Sequence, residues 1–168
     1  VRFKIDFSEK EHFTPEGTDA IQFLIATNPG EALKPLAKVV SGGELSRIML
    51  AIQTVLSAHD DLDTMIFDEV DTGISGSAAQ KVGLKLHEVS RYAQVICITH
   101  LAQIACLADY HLLIQKQVTE NKTYTQVIPL SKEAQIKEIA RMIGGQAITP
   151  LLLQNAQEMI DSAKQLKS

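Results

Sequence analysis

The stretch TMIFDEVDTGISGSAAQKVGLKLHEVSRYAQVICITH, residues 64–100, decides the fold. It opens on TMIFDE (64–69), a short apolar run ending in two acids, and closes on AQVICIT (93–99), a second apolar run followed by His100. Between them SGSAAQKVGLKLHEVSRY carries Ala79, Val82, Leu86 and Val89 on one face of a helix. Strand, helix and strand in that order form a βαβ unit with a parallel pair, and continuous apolar runs predict strands buried on both faces. Parallel pairing sets Asp68, Glu69 and His100 at one sheet edge, the edge outside which open α/β sheets bind ligands. Asp71 and Gly73 predict a tight turn directly after the acids.

Upstream, VVSGGELSRIML (39–50) starts a helix whose apolar stripe runs through Leu45, Ile48, Met49, Ile52, Val55 and Leu56. Ser41 and Glu44 fit the S-x-x-E capping box, in which each side chain satisfies an orphan backbone donor. Gly42 and Gly43 do not follow from that account, because glycine is ~1 kcal/mol worse than alanine in a helix. A helix N-terminus bare of side chains is also an anion site that a phosphate can approach closely. Both readings stand on the residues alone.

Further upstream, VRFKIDF alternates Val1, Phe3, Ile5 and Phe7 with polar residues, the period of a half-buried strand. AIQFLIAT (20–27) is a second strand, set between the turn-forming TPEGTD and NPGE. Downstream, HLLIQKQ and TYTQVIPL flank the polar VTENK as a hairpin. SKEAQIKEIARMIGG follows as a helix, capped by Ser131, striped by Ile136, Ile139, Ala140 and Ile143, and stopped by Gly144. Thr149 and Pro150 suit the cap and first position of a last helix, fraying into KQLKS.

A chain of 168 residues, 45% hydrophobic and 21% charged, is one domain's length and folds around its own core. The two cysteines, Cys97 and Cys106, lie in apolar runs without a CxxC pair, which argues against a disulfide framework and for a reducing cytosol. No signal peptide, lipidation motif or bilayer-length apolar run is present, so no membrane role is expected. The net charge of -4 confines any nucleic-acid surface to a local patch or a part outside this sequence. The chain opens on Val1, within a strand pattern, and reads as a piece of something longer.

Each candidate group has a plainer alternative. Asp68 can support Mg²⁺ through water and Glu69 can polarise a water against a phosphoryl group, or both can begin a solvated loop. His100 can converge on the acids, or stand exposed in a helix first turn capped by Thr99. Cys97, His100, Cys106 and His111 include Cys-x-x-His, but both cysteines read as core, which argues against zinc. HDDLD (59–63) lacks the glycine and terminal glutamate of a calcium loop, and Lys81 with Lys85 is too little for a DNA patch.

Taken together, SGGE, then a strand ending Asp-Glu with an Asp turn, then a strand ending Thr-His, resembles the carboxyl-terminal half of an ABC-type ATPase head. NPGEALKPLAKVVSGGELSRIMLA, IFDEVDTGISG, CITHLAQIACLAD and IARMIGG resemble the RecN family of bacterial DNA-repair ATPases, relatives of the SMC proteins, over nearly the whole chain. The resemblance implies an α/β fold: the carboxyl-terminal lobe of an ABC/SMC-type P-loop head. It would be a mainly parallel sheet flanked by helices, with antiparallel strands at the N-terminal end and an additional hairpin. As a single-domain fragment it would divide into 1–38, antiparallel strands and loop; 39–58, signature motif and helix; 64–116, the αβ core; and 117–168, hairpin and last helices.

The resemblance further implies that Ser41, Gly42, Gly43 and Glu44 bind the ATP of an opposing head. It makes Asp68 the support for Mg²⁺, Glu69 the base for the attacking water, Asp71 and Gly73 parts of an interface-forming D-loop, and His100 a sensor of the γ-phosphate. The implied cofactors are ATP and Mg²⁺. Implied partners are an absent N-terminal half bearing the Walker A motif and coiled coil, a second head in a homodimer, DNA, and recombination proteins such as RecA, in a bacterial cytoplasm at the nucleoid. Val40 and Ala102 depart from alanine and proline in the family pattern. The sequence has no G-x-x-x-x-G-K-[ST], so the chain alone is expected to be inactive. Two rivals are a metal-dependent phosphotransferase or nuclease built on Asp68, Glu69 and Asp71, and a non-catalytic interaction module.

Overall fold

The computed structural model describes residues 1–26, 29–39, 41–57, 62–119 and 122–167. The chain divides into two compact units, Val1–Ser41 and Gly42–Ser168. In the first, β1 (Arg2–Thr14), β2 (Gly17–Ala26) and β3 (Lys34–Pro35) form an antiparallel sheet in the order β1-β2-β3, followed by the short α1 (Leu36–Val39). Register sets Phe3 opposite Ile25, Ile5 opposite Phe23 and Phe7 opposite Ile21, so the expected alternation does gather one apolar face. Phe3 and Phe23 stack diagonally at 5.8 Å between centroids. That face is largely exposed, with Ile25 buried at its end and Ala26 buried on the opposite face, so the half-buried expectation is too generous. β1 also runs on through the polar SEKEHF, where a register shift between Glu9 and Thr14 erases the alternation that marks a strand. Thr27 and Asn28, at the end of the second predicted strand and in NPGE, lie outside the described residues, as does Val40.

The second unit begins with α2 (Gly42–Leu56) and continues through β4 (Thr64–Phe67), α3 (Gly76–Val89) and β5 (Gln94–Cys97). β4 and β5 pair in parallel, Thr64 with Gln94 through Phe67 with Cys97, as the βαβ reading predicts. Their burial corrects it in one respect. Met65 and Phe67 are buried with Val70, Ala79, Leu86 and Val89, whereas Ile66 is 68% exposed and Ile96 and Ile98 are exposed too. Helix α3 covers one face of the pair; the other is apolar but open. Of the 59–63 connection, residues 59–61 lie outside the described residues.

After β5 come α4 (Ala102–Ala105), the antiparallel hairpin β6 (Leu112–Thr119) and β7 (Lys122–Pro129), α5 (Lys132–Gly144) and α6 (Pro150–Lys167). The hairpin tip, 120–121, lies outside the described residues. α4, α5 and α6 share a core built on Cys106, Ile139, Ala140, Ala156 and Ile160. Ser131 caps α5, accepting from Ala134 N at 3.2 Å, and Thr149 Oγ1 accepts from Leu152 N at 3.3 Å ahead of Pro150. The stop of α5 is Gly145, not Gly144: Gly145 has φ +78° and donates to Arg141 O. Gly144 serves a close approach, since a Cβ there would stand 2.3 Å from Leu152 Cδ1. Nor does α6 fray at Lys164: it runs to Lys167, whose ammonium bonds Leu107 O at 3.0 Å and the Asp109 carboxylate.

Candidate functional site

Strand β4 delivers Asp68 and Glu69, both exposed, to its carboxyl end. Asp68 Oδ1 accepts from the Glu69 N–H at 2.8 Å, and the Thr72 N–H closes a turn onto Glu69 O at 3.0 Å. Glu69 has φ +58°, the left-handed region that costs a residue with a Cβ ~1–2 kcal/mol. The second turn of α2 holds this loop. Ser46 Oγ donates to Asp68 O at 2.6 Å, and Arg47 Nη1 donates to Val70 O at 3.2 Å and Thr72 O at 2.7 Å. Bonds from a charged donor contribute ~1.5–3 kcal/mol each, enough together to offset the Glu69 backbone strain.

The glycines of α2 lie against the same loop. A Cβ on Gly42 would stand 2.0 Å from Glu69 Oε2. A Cβ on Gly43 would stand 2.8 Å from Glu69 O, 2.9 Å from Thr72 Cβ and 3.0 Å from Thr72 O. At Gly43 the neighbours include backbone that cannot yield, so this glycine lets the helix N-terminus touch the loop that carries the acids, whereas at Gly42 the neighbour is the flexible end of the Glu69 side chain. The Glu69 carboxylate consequently lies beside the positive end of α2, where an anion is favoured.

The end of β5 joins the same place through Asp71. Its side chain is 3% exposed, and its Oδ2 accepts from Thr99 Oγ1 at 2.6 Å and His100 N at 2.8 Å, with His100 Nδ1 in contact 3.0 Å away. Thr99 Oγ1 in turn accepts from Leu101 N at 3.1 Å. His100 precedes α4 rather than opening it: Leu101 is the N-cap, Ala102 the first helical residue, and the imidazole is 73% exposed. Ala102 thus occupies the position where proline is best tolerated. Behind the site, burial and then the Asp71 and Asp68 carboxylates push the Cys97 thiol up to about 12.

No protein-family model matches the chain. The DNA repair protein RecN of Bacillus subtilis (strain 168) is 51% identical over 155 residues, 92% of this chain and 27% of that protein. RecN of Halalkalibacterium halodurans is 46% identical over 169 residues (98% and 30%), and RecN of Vibrio cholerae 46% over 164 residues (97% and 30%). The chain belongs to the RecN family. It spans 27–30% of the length of these RecN relatives. A solved structure from work on ATP-driven dimerization and DNA-stimulated activation of SMC ATPases superposes with TM-score 0.50 at 22% identity, covering 76% of each chain. That likeness supports the fold: a mixed α/β lobe of an ABC/SMC-type head.

Within this RecN-family lobe, Gly42, Gly43, Asp68, Glu69, Asp71 and His100 come to the carboxyl ends of β4 and β5. Glu44 sits in the first turn of α2, and Gly73, at φ +75°, ends the loop. Ser41 is exposed and directly precedes α2 in sequence, as the last residue of the first unit. Asp71, assigned by resemblance to a loop facing a second head, has its carboxylate buried and engaged within its own chain. Among the described residues no group of three His, Cys, Asp or Glu side chains is placed to hold a metal. Cys97 lies in β5 and Cys106 is buried beyond α4. Sequence reasoning missed Ser46, Arg47 and Thr72. The signal was there: Ser46-Arg47 is a polar pair in an otherwise apolar turn, on the side opposite the stripe.

Proposed function

We propose that this chain supplies the carboxyl-terminal half of the ATP-hydrolysing head of a RecN-type DNA-repair protein. One observation supports it above the others: Gly42 and Gly43 at a helix N-terminus meet Glu69 and Thr72 beyond one parallel strand, while His100 meets Asp71 beyond the next. Three motifs far apart in sequence thus form one surface, exposed at Gly42, Asp68, Glu69 and His100.

The residues fit a magnesium nucleotide. Asp68 and Glu69 offer exposed hard oxygen donors, and the N-terminus of the 15-residue α2, with no side chains of its own at Gly42 and Gly43, suits phosphate once the flexible Glu69 carboxylate turns aside. Mg²⁺ supplies neutralisation of phosphate charge when bound. In this reading Asp68 holds it through water, and Glu69 accepts the proton of the attacking water. Ser41, Gly42, Gly43 and Glu44 hold the γ-phosphate of a nucleotide seated on a second head, and His100 donates to that phosphate. Asp71 and Gly73 belong to the connecting D-loop.

The nucleotide's P-loop comes from an amino-terminal half of the parent, joined through a coiled coil, so this chain alone does not turn over ATP. The open faces support such a cover. Ile66, Ile96 and Ile98 on the sheet and Leu45, Met49 and Ile52 on α2 are exposed, and a groove of about 310 Å³ lies between α2 and β4. The parent would act on DNA in the bacterial cytoplasm at the nucleoid, with recombination proteins such as RecA as partners. Among the described residues no helix is long and apolar enough to cross a membrane. A three-carboxylate metal centre is not favoured, because Asp71 faces Thr99 and His100.

The test is Glu69→Gln in the full-length protein. ATP hydrolysis should fall by ~10²–10⁴, the usual contribution of a positioned base, while ATP-dependent association of heads persists. Normal hydrolysis by that variant would remove Glu69 from the assigned role.

A further inference from the structure

We propose that Asp71 is the positioning residue for His100, fixing which imidazole nitrogen is offered to the site; the functional consequence rests on the ATPase reading above, the tautomer itself does not. The two side chains are opposites in exposure, 3% for Asp71 and 73% for His100, yet they meet at 3.0 Å. A buried acceptor therefore holds an exposed ring from below.

The chemistry follows from the donors. Asp71 Oδ2 receives the Thr99 hydroxyl and the His100 backbone N–H, and His100 Nδ1 lies 3.0 Å from the same oxygen. A carboxylate oxygen only accepts, so the contact at 3.0 Å favours the proton on Nδ1, and Nε2 is the nitrogen left for a ligand. The His100 backbone N–H anchors the residue at a second point, and Thr99, bonded to both Asp71 and Leu101 N, anchors the turn on either side. The backbone bond and the Nδ1 contact together constrain both its backbone and its ring. A histidine so held meets a phosphate oxygen without first losing rotamer freedom.

Asp71 also reports the position of the acid loop. It sits between Val70 and Thr72, whose carbonyls Arg47 grips from α2. Asp71 therefore ties His100, beyond β5, to the loop that carries Glu69 beyond the neighbouring β4.

The experiment is ¹⁵N NMR of selectively histidine-labelled full-length protein, which separates Nδ1–H from Nε2–H imidazole, alongside ATP turnover. Wild-type His100 should show the Nδ1–H form at neutral pH, and Asp71→Ala should lose it. Asp71→Asn should keep it, because the His100 backbone N–H can only donate and so draws the amide oxygen into the Oδ2 place. In turnover, Asp71→Ala should lower kcat by about 10–100-fold with KM for ATP little changed, the scale on which outer partners of a working histidine act. An Nε2–H form in the wild type overturns the proposal without any variant, whether or not Asp71→Ala folds. An unchanged tautomer in Asp71→Ala overturns it as well. Unchanged kcat in Asp71→Ala overturns the positioning role while leaving the ATPase reading to Glu69→Gln. If the wild type hydrolyses no ATP, that reading fails, and the tautomer still decides the Asp71–His100 assignment.

Discussion

Alanine at Gly42 and alanine at Gly43 should have opposite effects on stability, although the two residues are neighbours in one helix. Each substitution gains helix propensity, at most ~1 kcal/mol and less in the first turn. At Gly42 the new methyl meets the far end of the Glu69 side chain, with Oε2 2.0 Å away. That carboxylate is exposed and rotates aside at little cost, so Gly42→Ala should be neutral or stabilising by up to ~1 kcal/mol. At Gly43 the methyl meets Glu69 O at 2.8 Å and Thr72 O at 3.0 Å, which are backbone, and Thr72 Cβ at 2.9 Å. No rotamer relieves those contacts, so α2 must back away from the loop and strain the Ser46 and Arg47 bonds that hold it. Overpacking of this kind costs ~1–3 kcal/mol, which exceeds the propensity gain. The net loss of ~1–2 kcal/mol corresponds to a Tm drop of ~2–8 °C in a domain of this size. Paired thermal and urea melts of the two variants measure the difference. Equal Tm values, or a less stable Gly42→Ala, would refute the claim that α2 approaches the loop through Gly43.

Two further outcomes follow from the ionisable groups behind the surface. With its thiol pushed up to about 12, Cys97 should be alkylated by iodoacetamide at pH 8 about a thousandfold more slowly in the folded chain than in urea, read site by site by mass spectrometry; labelling at the unfolded rate would show the thiol is neither buried nor beside Asp71 and Asp68. His111 is half-buried, its Nδ1 has no hydrogen-bond partner among the described residues, and burial lowers its pKa against the opposing pull of Glu138. A depressed folded-state value means stability is full above the ordinary 6.5 and is lost as pH falls below it, so His111→Gln should flatten the stability difference between pH 7 and pH 5 in urea melts, and an unchanged slope would contradict it.

The βαβ core is legible because its signals are local: two apolar runs, one amphipathic helix, and a length that admits only a crossover. The clustering of Asp68, Glu69 and His100 then follows from parallel pairing alone. What sequence cannot show is the other half of each burial statement. Ile66 reads as core because its neighbours are apolar, yet it is exposed, since whether a second layer covers β4 depends on atoms remote in sequence. Long-range polar contacts are hidden for the same reason. Arg47 reaches Val70 and Thr72, and Asp71 reaches Thr99 and His100, across separations that no periodicity encodes. The short β1 reading failed differently: SEKEHF loses its alternation at a register shift, so the pattern ended before the strand did.

The glycines that first read as a bare phosphate cradle have a purpose within the chain itself. Gly43 brings α2 against the loop of Glu69 and Thr72, Arg47 fastens that loop by its carbonyls, and Asp71 within it fastens Thr99 and His100. A cradle reading alone would tolerate any small displacement of the 69–72 loop; this packing does not, because the backbone of that loop fills the space a side chain at Gly43 would need. On the proposed function, a phosphate at the α2 N-terminus would meet a surface whose proposed base, helix end and histidine are tied to one loop. Moving that loop moves all three. Such a surface would answer a ligand as a unit, and the requirement for glycine at Gly43 is set by the fit within one chain, whatever the proposed ligand adds.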